Sequence, residues 1–252
     1  MGGTLKVMSA LAVQIALTRS LLPAWRAAGN EVDVQWDPTA VLMERIRNGE
    51  RADVLIMIDS SMQEMSRQGI VAEDSVTPIA RSGLGLGVAA GSPRPDISTP
   101  ENFARALFNA RSIAYSRTGA SGIYFAELIR HLDIADHINE RALVTPGGFT
   151  AKHLLTGECD LSVQQISELM SVEGVEVVGP FPKPYQKPTD LSVAIFVGAE
   201  DRELALRFIE HLTSSQAAEA YERGGLESRL ARNSAPLHGM NMSQRANSDE
   251  VA

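Results

Sequence analysis

The chain has 252 residues, with 23 Lys+Arg against 31 Asp+Glu and a formal net charge of −8 with histidine neutral. That surplus opposes contact with nucleic acid, whose phosphates are met by basic surfaces. Hydrophobic residues at 44% and charged residues at 21% exclude a disordered, collagenous or coiled-coil chain.

In chain order, Leu5 to Met8 reads as a short strand that runs through Ser9-Ala10 into a helix of about 18 residues with Leu11, Ile15, Leu22 and Trp25 at helical spacing; Gly29 ends it. Val32 to Trp36 alternates as a strand, Asp37-Pro38-Thr39 starts a helix, and Asn48-Gly49 stops it. Val54 to Ile58 is the continuous apolar run of a buried parallel strand. Asp59-Ser60-Ser61 follows, and Ser61 with Glu64 has capping-box spacing for a helix ending near Gly69. This β-α-β-α-β-α order predicts a parallel sheet with helices on both faces.

Ile79 to Ala89 is a longer extended run, after which Thr99 and Pro100 open a second alternating set. Strand Ser112 to Tyr115 leads through Ser116 to Gly122 into a helix from Ile123 to Leu132, and Thr150 caps a short helix stopped by Gly157. Leu161 to Val163 is a strand that delivers Gln164-Gln165 at its end, and Val175 to Val178 is another. Beyond the proline-rich segment 180–188, Leu191 to Val197 is a strand, followed by helices over Glu200 to Thr213 and Ser215 to Arg223. The expectation is two α/β lobes, one of residues 4–82 plus 194–230 and one of 83–193. A tail at 231–252 is expected to be mobile, since it lacks periodicity. Two crossings make a hinge, and the cleft between lobes is where strand ends and helix starts bind small ligands.

The segment 116–122 combines two glycines, three hydroxyls and Arg117 between a strand and a helix, so backbone amides and a positive helix end point at one spot suited to an oxyanion. Its alternative is a plain capped turn with Arg117 in solvent. Ser9-Ala10, Asp59-Ser60-Ser61 and Phe149-Thr150 repeat the hydroxyl at a helix start. The Gly83 to Gly87 alternation lies inside an extended run with no helix after it, so it is not a nucleotide loop. The five histidines lack metal-ligand spacing and the single Cys159 makes neither a disulfide nor a cysteine metal site, so no metal and no cofactor are expected. Gly119-Ala120-Ser121-Gly122 is not a Gly-x-Ser-x-Gly elbow. His153, in the helix that Thr150 starts, is the candidate general base, against the alternative of a surface histidine.

Leu5-Lys6-Val7-Met8-Ser9-Ala10, Arg51-Ala52-Asp53-Val54-Leu55-Ile56 and Gly119-Ala120-Ser121-Gly122-Ile123-Tyr124 resemble the molybdate-binding type of ABC-transporter substrate-binding protein over most of residues 4–230. The resemblance implies the two-lobed periplasmic-binding-protein type 2 fold closing over a small oxyanion. It implies ligand contacts from Ser9 and Ala10, from Ser60 or Ser61, and from Ala120 with Ser121. A ligand-contacting tyrosine of that family falls on Gln164, and Arg117 is a second departure, since molybdate sites are uncharged. Together they favour a larger, carboxylate-bearing anion, with Thr150 as a further contact. Arg45 to Met57 and the region from Pro95-Asp96-Ile97-Ser98 to Ser121-Gly122 are also similar to the branch that includes aconitate isomerase, a cofactor-independent enzyme.

Three functions follow as expectations: a solute-binding protein partnered with an ABC-transporter permease if exported, an isomerase of an unsaturated polycarboxylate, or a cytosolic ligand sensor. The apolar stretch Val7 to Leu17 is interrupted by Ser9 and Gln14 and reads as structure rather than a leader, which makes the chain cytoplasmic as written and periplasmic if a leader was removed. No run approaches the ~18 apolar residues of a membrane span.

Overall fold

In the computed structural model, residues 3–230 are described; the tail expected at 231–252 lies outside them. The first sheet contains β1 (Leu5–Ala10), β2 (Val32–Asp37), β3 (Val54–Ile58), β4 (Thr77–Ser82), β10 (Thr189–Ile195) and β11 (Leu226–Ser228) in the order β11-β4-β10-β3-β1-β2. The second contains β5 (Leu84–Ala89), β6 (Ile113–Ser116), β7 (Leu143–Thr145), β8 (Leu161–Gln165) and β9 (Val175–Pro180) in the order β7-β6-β8-β5-β9. β1 runs parallel to β2 and β3, and β6 parallel to β7 and β8. Antiparallel β10 and β5 sit inside these sheets, so both are mixed. Two lobes with helices on their faces result, the doubly covered arrangement that continuous apolar strands require.

Side-chain alternation along β3 builds both cores of the first lobe. Val54 and Ile56 face Val13, Leu17, Trp25, Phe208 and Tyr221. Leu55 and Met57 face Leu42, Ile46, Met62, Met65 and Phe196 on the opposite side. In the second lobe Leu86, Phe103, Phe125, Ile129 and Val163 form the main core.

Several elements depart from the sequence reading. The first helix is a 3-10 turn Leu11–Val13, an α turn Gln14–Ala16, a π segment Leu17–Leu21 and an α segment Leu22–Ala27. Pro23 has no N–H to donate one turn back, which breaks regular hydrogen bonding there. The extended run 79–89 is two strands in different sheets, parted at Gly83. β10 begins at Thr189 and pairs with β3 and β4, so the chain re-enters the first sheet before residue 194. The helix after β3 spans Asp59–Arg67 with Ile58 as N-cap, so Ser61 does not cap it; Asp59 instead accepts from Ser192 and Arg229. Thr99 does cap its helix, accepting the Asn102 N–H at 3.2 Å. The helices Ala135–Asn139 and Ile166–Met170 and strands β7 and β11 went unread because each is too short to show a period.

The two crossings are tied side by side. The Gln186 side chain accepts the Leu84 N–H at 2.7 Å and donates to the Leu84 carbonyl at 2.9 Å. Arg81 grips Asp190 through both carboxylate oxygens at 2.6 and 3.0 Å, and Arg229 reaches Asp59 at 2.8 Å. On β5, a side chain at Gly85 would place a Cβ 2.8 Å from Ile166 Cγ1 and 3.0 Å from the Gly179 carbonyl. A bare backbone there lets the helix Ile166–Met170 lie against the sheet, at the edge facing the cleft.

Candidate functional site

Three helices of nine residues or more, and the segmented helix that opens with the 3-10 turn Leu11–Val13, begin at one cavity between the lobes, and none is capped by a side chain. Their N-caps are Ala10, Pro38, Ile58 and Gly119, and all four residues line that cavity. The helices Pro100–Asn109, Arg202–Leu212 and Ser215–Arg223, which start elsewhere, are capped by Thr99, Asp201 and Ser214. A helix start leaves its first amides without intrahelical partners and carries partial positive charge. Leaving four such starts uncapped around one space makes a site for negative charge without a cation.

The inner cavity is small, about 20 Å³, room for little more than a water. It is further lined by Thr39, Ser116, Ala120, Ser121, Gln164, Gln165 and Glu168. Through Ile58 and Ala120 it meets an outer cleft of about 450 Å³ bordered by Asp59, Ser60, Tyr124, Glu127, Lys187 and Asp190. A ligand with one anionic end and a longer body fits this pair of spaces.

The turn at 116–122 is held by its own side chain. Ser116 Oγ accepts the N–H groups of Gly119 at 3.0 Å and Thr118 at 3.2 Å, which frees the Ser121 hydroxyl to face the cavity with no partner among the described residues. Gly122 is obligatory, since a Cβ there would stand 1.8 Å from the Ser116 carbonyl oxygen.

At the far wall, β8 ends in Gln164 and Gln165, and the helix Ile166–Met170 begins. Gln164 Oε1 accepts the Ala151 N–H at 3.0 Å, which fixes the amide so that Nε2 donates to Gly148 O at 3.3 Å and to Glu168 Oε2 at 3.0 Å. Glu168 also accepts the Gln165 backbone N–H, the reciprocal half of a capping box. Burial pushes the Glu168 carboxyl up to about 7, against the opposing pull of those two hydrogen bonds. Gln165, buried on the same wall, has its side-chain oxygen without a partner among the described residues.

Of the residues singled out in the sequence, Ala10, Ala120, Ser121 and Gln164 line the inner cavity and Ser60 the outer cleft. The others stand apart. Ser9 is fully buried and its hydroxyl donates to the Ala10 carbonyl at 3.2 Å, so its β1 position aims it at backbone. Ser61 lines neither space. Thr150 shares a 2.8 Å hydrogen bond with Ser162, and its expected helix starts only at Lys152, with Ala151 as N-cap. His153 is turned to Glu158, 2.8 Å from Nδ1 to Oε2, and borders neither space. Arg117 is exposed and lines neither space, and its backbone N–H donates to Thr145 O at 2.8 Å. Glu168, Gln165, Thr39 and Lys187 were missed. The Gln165-to-Glu168 spacing directly after a strand was the available signal for the most consequential of them.

Among the described residues no group of three or more His, Cys, Asp or Glu is placed to hold a metal ion, and no helix is long and apolar enough to cross a membrane.

The model of the bacterial extracellular solute-binding protein family matches residues 5–227. The chain belongs to that family. An aconitate isomerase from Pseudomonas sp. is 31% identical over 231 residues, covering 89% of this chain and 87% of the relative. The periplasmic molybdate-binding protein of Azotobacter vinelandii superposes with a TM-score of 0.71 at 19% identity, over 88% of this chain and 98% of that one. The sulfate-binding protein of Mycobacterium tuberculosis gives 0.72 at 16% identity, over 90% and 88%. These two structural likenesses establish the shared fold. This is a solute-binding protein with a cleft between its two lobes.

Proposed function

We propose that the ligand is a small polycarboxylate, with one carboxylate reaching an oxygen into the inner cavity and its remaining groups in the outer cleft. The observation that carries this reading is the meeting of uncapped helix starts with a carboxyl group held near neutrality. Glu168 in its protonated form donates to an anionic carboxylate oxygen. Lys187 is the only cation on the walls of either space among the described residues, and its Nζ lies 5.0 Å from the Tyr124 ring centroid at the cleft. It is placed to meet a second carboxylate. Family membership supports an extracytoplasmic location and delivery of the captured ligand to an ABC-transporter permease.

A thermal-shift panel of citrate, both aconitate isomers, molybdate and sulfate tests this. A ligand at a hundred times its Kd adds about 2.7 kcal/mol, which is about 5 °C or more for a chain of this size. Carboxylates should give that rise. A rise with molybdate or sulfate alone would overturn the reading.

The second reading is isomerisation of an unsaturated tricarboxylate in the same cleft. It is favoured by the Pseudomonas aconitate isomerase relative and by Glu168, a buried titratable group on the cavity wall that simple capture does not need.

A further inference from the structure

We propose that Glu168 is the catalytic acid–base group of the cleft, moving a proton between the methylene and vinyl carbons of a bound unsaturated tricarboxylate; this rests on the isomerase reading above. Glu168 is the only ionisable residue on the inner cavity wall among the described residues. Its Oε2 is held by Gln164 Nε2 at 3.0 Å, and Gln164 is itself pinned by Ala151 and Gly148, so the carboxyl is positioned by a fixed amide rather than a mobile ion. A fixed neutral donor orients a base without trapping it in its charged form, as an arginine would. The unpartnered Gln165 side-chain oxygen, buried beside it, marks the same wall as one that awaits a ligand; rotating that amide presents its N–H groups to an anion.

The elements packed most on its helix are β5, β8, β9 and the segments Leu11–Val13 and Gln14–Ala16. The one cation among the described residues that is bonded to this helix is exposed Arg19, which donates to the carbonyl of its last residue, Met170, at 3.4 Å rather than to Glu168. β5, β8 and the two segments contain no ionisable residue, and Glu176 on β9 is paired with Arg94 at 3.3 Å. Burial therefore outweighs the two hydrogen bonds that oppose it, and the group exchanges its proton close to neutral pH.

The step balances within the substrate. Ionised Glu168 takes a proton from the methylene carbon, and the C–H electron pair becomes a new double bond to the central carbon. The former double-bond pair moves to the former vinyl carbon, delocalised into its carboxylate. That carbon then takes the proton back from Glu168, so no oxidant, reductant or co-reactant is consumed. The free amides at Ala120 and Ser121 face the same cavity and stabilise the charge that develops.

The test follows isomer interconversion of cis- and trans-aconitate by proton NMR with the full chain, alongside thermal shift with trans-aconitate. Glu168→Gln should keep the aconitate-induced rise in midpoint and lose about 100-fold or more in turnover. Glu168→Gln with turnover within a few-fold of wild type overturns the proposal and leaves the isomerase reading standing. A wild type that binds aconitate without interconverting it overturns the isomerase reading and the proposal together, while capture stands. Should Glu168→Gln fail to fold, the wild-type pH profile decides: kcat/KM should rise with pH through a limb near 7. A profile flat across that limb overturns the assignment.

Discussion

Gln164 Nε2 stands 3.0 Å from Glu168 Oε2 on the wall of the inner cavity, and burial still outweighs that hydrogen bond in setting the carboxyl's ionisation. The consequence reaches folding. A carboxyl at about 7 in the folded chain against 4.5 when unfolded binds more protons folded than unfolded between those values. Its stabilisation is therefore fully present below about 4.5 and lost as pH rises through about 7, at about 3 kcal/mol for the full span. Ligand-free protein should lose that much between pH 4.5 and 7.5 in denaturant titrations, over and above other groups, and Glu168→Gln should abolish that component. Equal slopes for the two proteins would show that Glu168 titrates normally.

Ser121 separates binding from stability. Its hydroxyl bonds to nothing else among the described residues, so Ser121→Ala should leave the unfolding midpoint within the change expected from about 0.5 kcal/mol while weakening the ligand about tenfold. Thr150→Val should do the reverse, since the 2.8 Å bond to Ser162 is internal and its loss leaves a buried hydroxyl unpaired. Calorimetry and thermal melts on the two variants check both halves.

Gly122→Ala should cost about 3 kcal/mol or more, because the added methyl must displace the Ser116 carbonyl and with it the turn that forms the cavity. A melt within a degree of wild type would show that the turn gives way freely.

The βα alternation was legible because it depends on local periodicity: in the first lobe Val54 to Ile58 announced a strand buried on both faces, and in the second the segment 116–122 announced a helix start, which has no side-chain cap. What stayed hidden depended on partners distant in sequence. Nothing local says that Gly83 parts two strands into different sheets, or that Ser9 spends its hydroxyl on Ala10. Nor does a one-turn helix reveal that His153 turns to Glu158. Glu168 was hidden for a related reason, since its five-residue helix shows no period and its carboxyl reads as an ordinary first-turn acid until its burial is known.

Charge at the cleft follows from position rather than motif. Lys187→Ala should weaken a carboxylate-bearing ligand about tenfold, while Arg117→Ala should change it less than twofold, because Lys187 borders the outer cleft and Arg117 borders neither space. Matched titrations of the two variants at one salt concentration measure this. A larger loss in Arg117→Ala would return that residue to the binding surface.

The most direct measurement is a calorimetric titration of the full chain with trans-aconitate and, separately, with molybdate near pH 7. Capture of a polycarboxylate between the lobes requires saturable one-site binding of aconitate, at least about tenfold tighter than molybdate. Tight molybdate binding with no aconitate signal would contradict it.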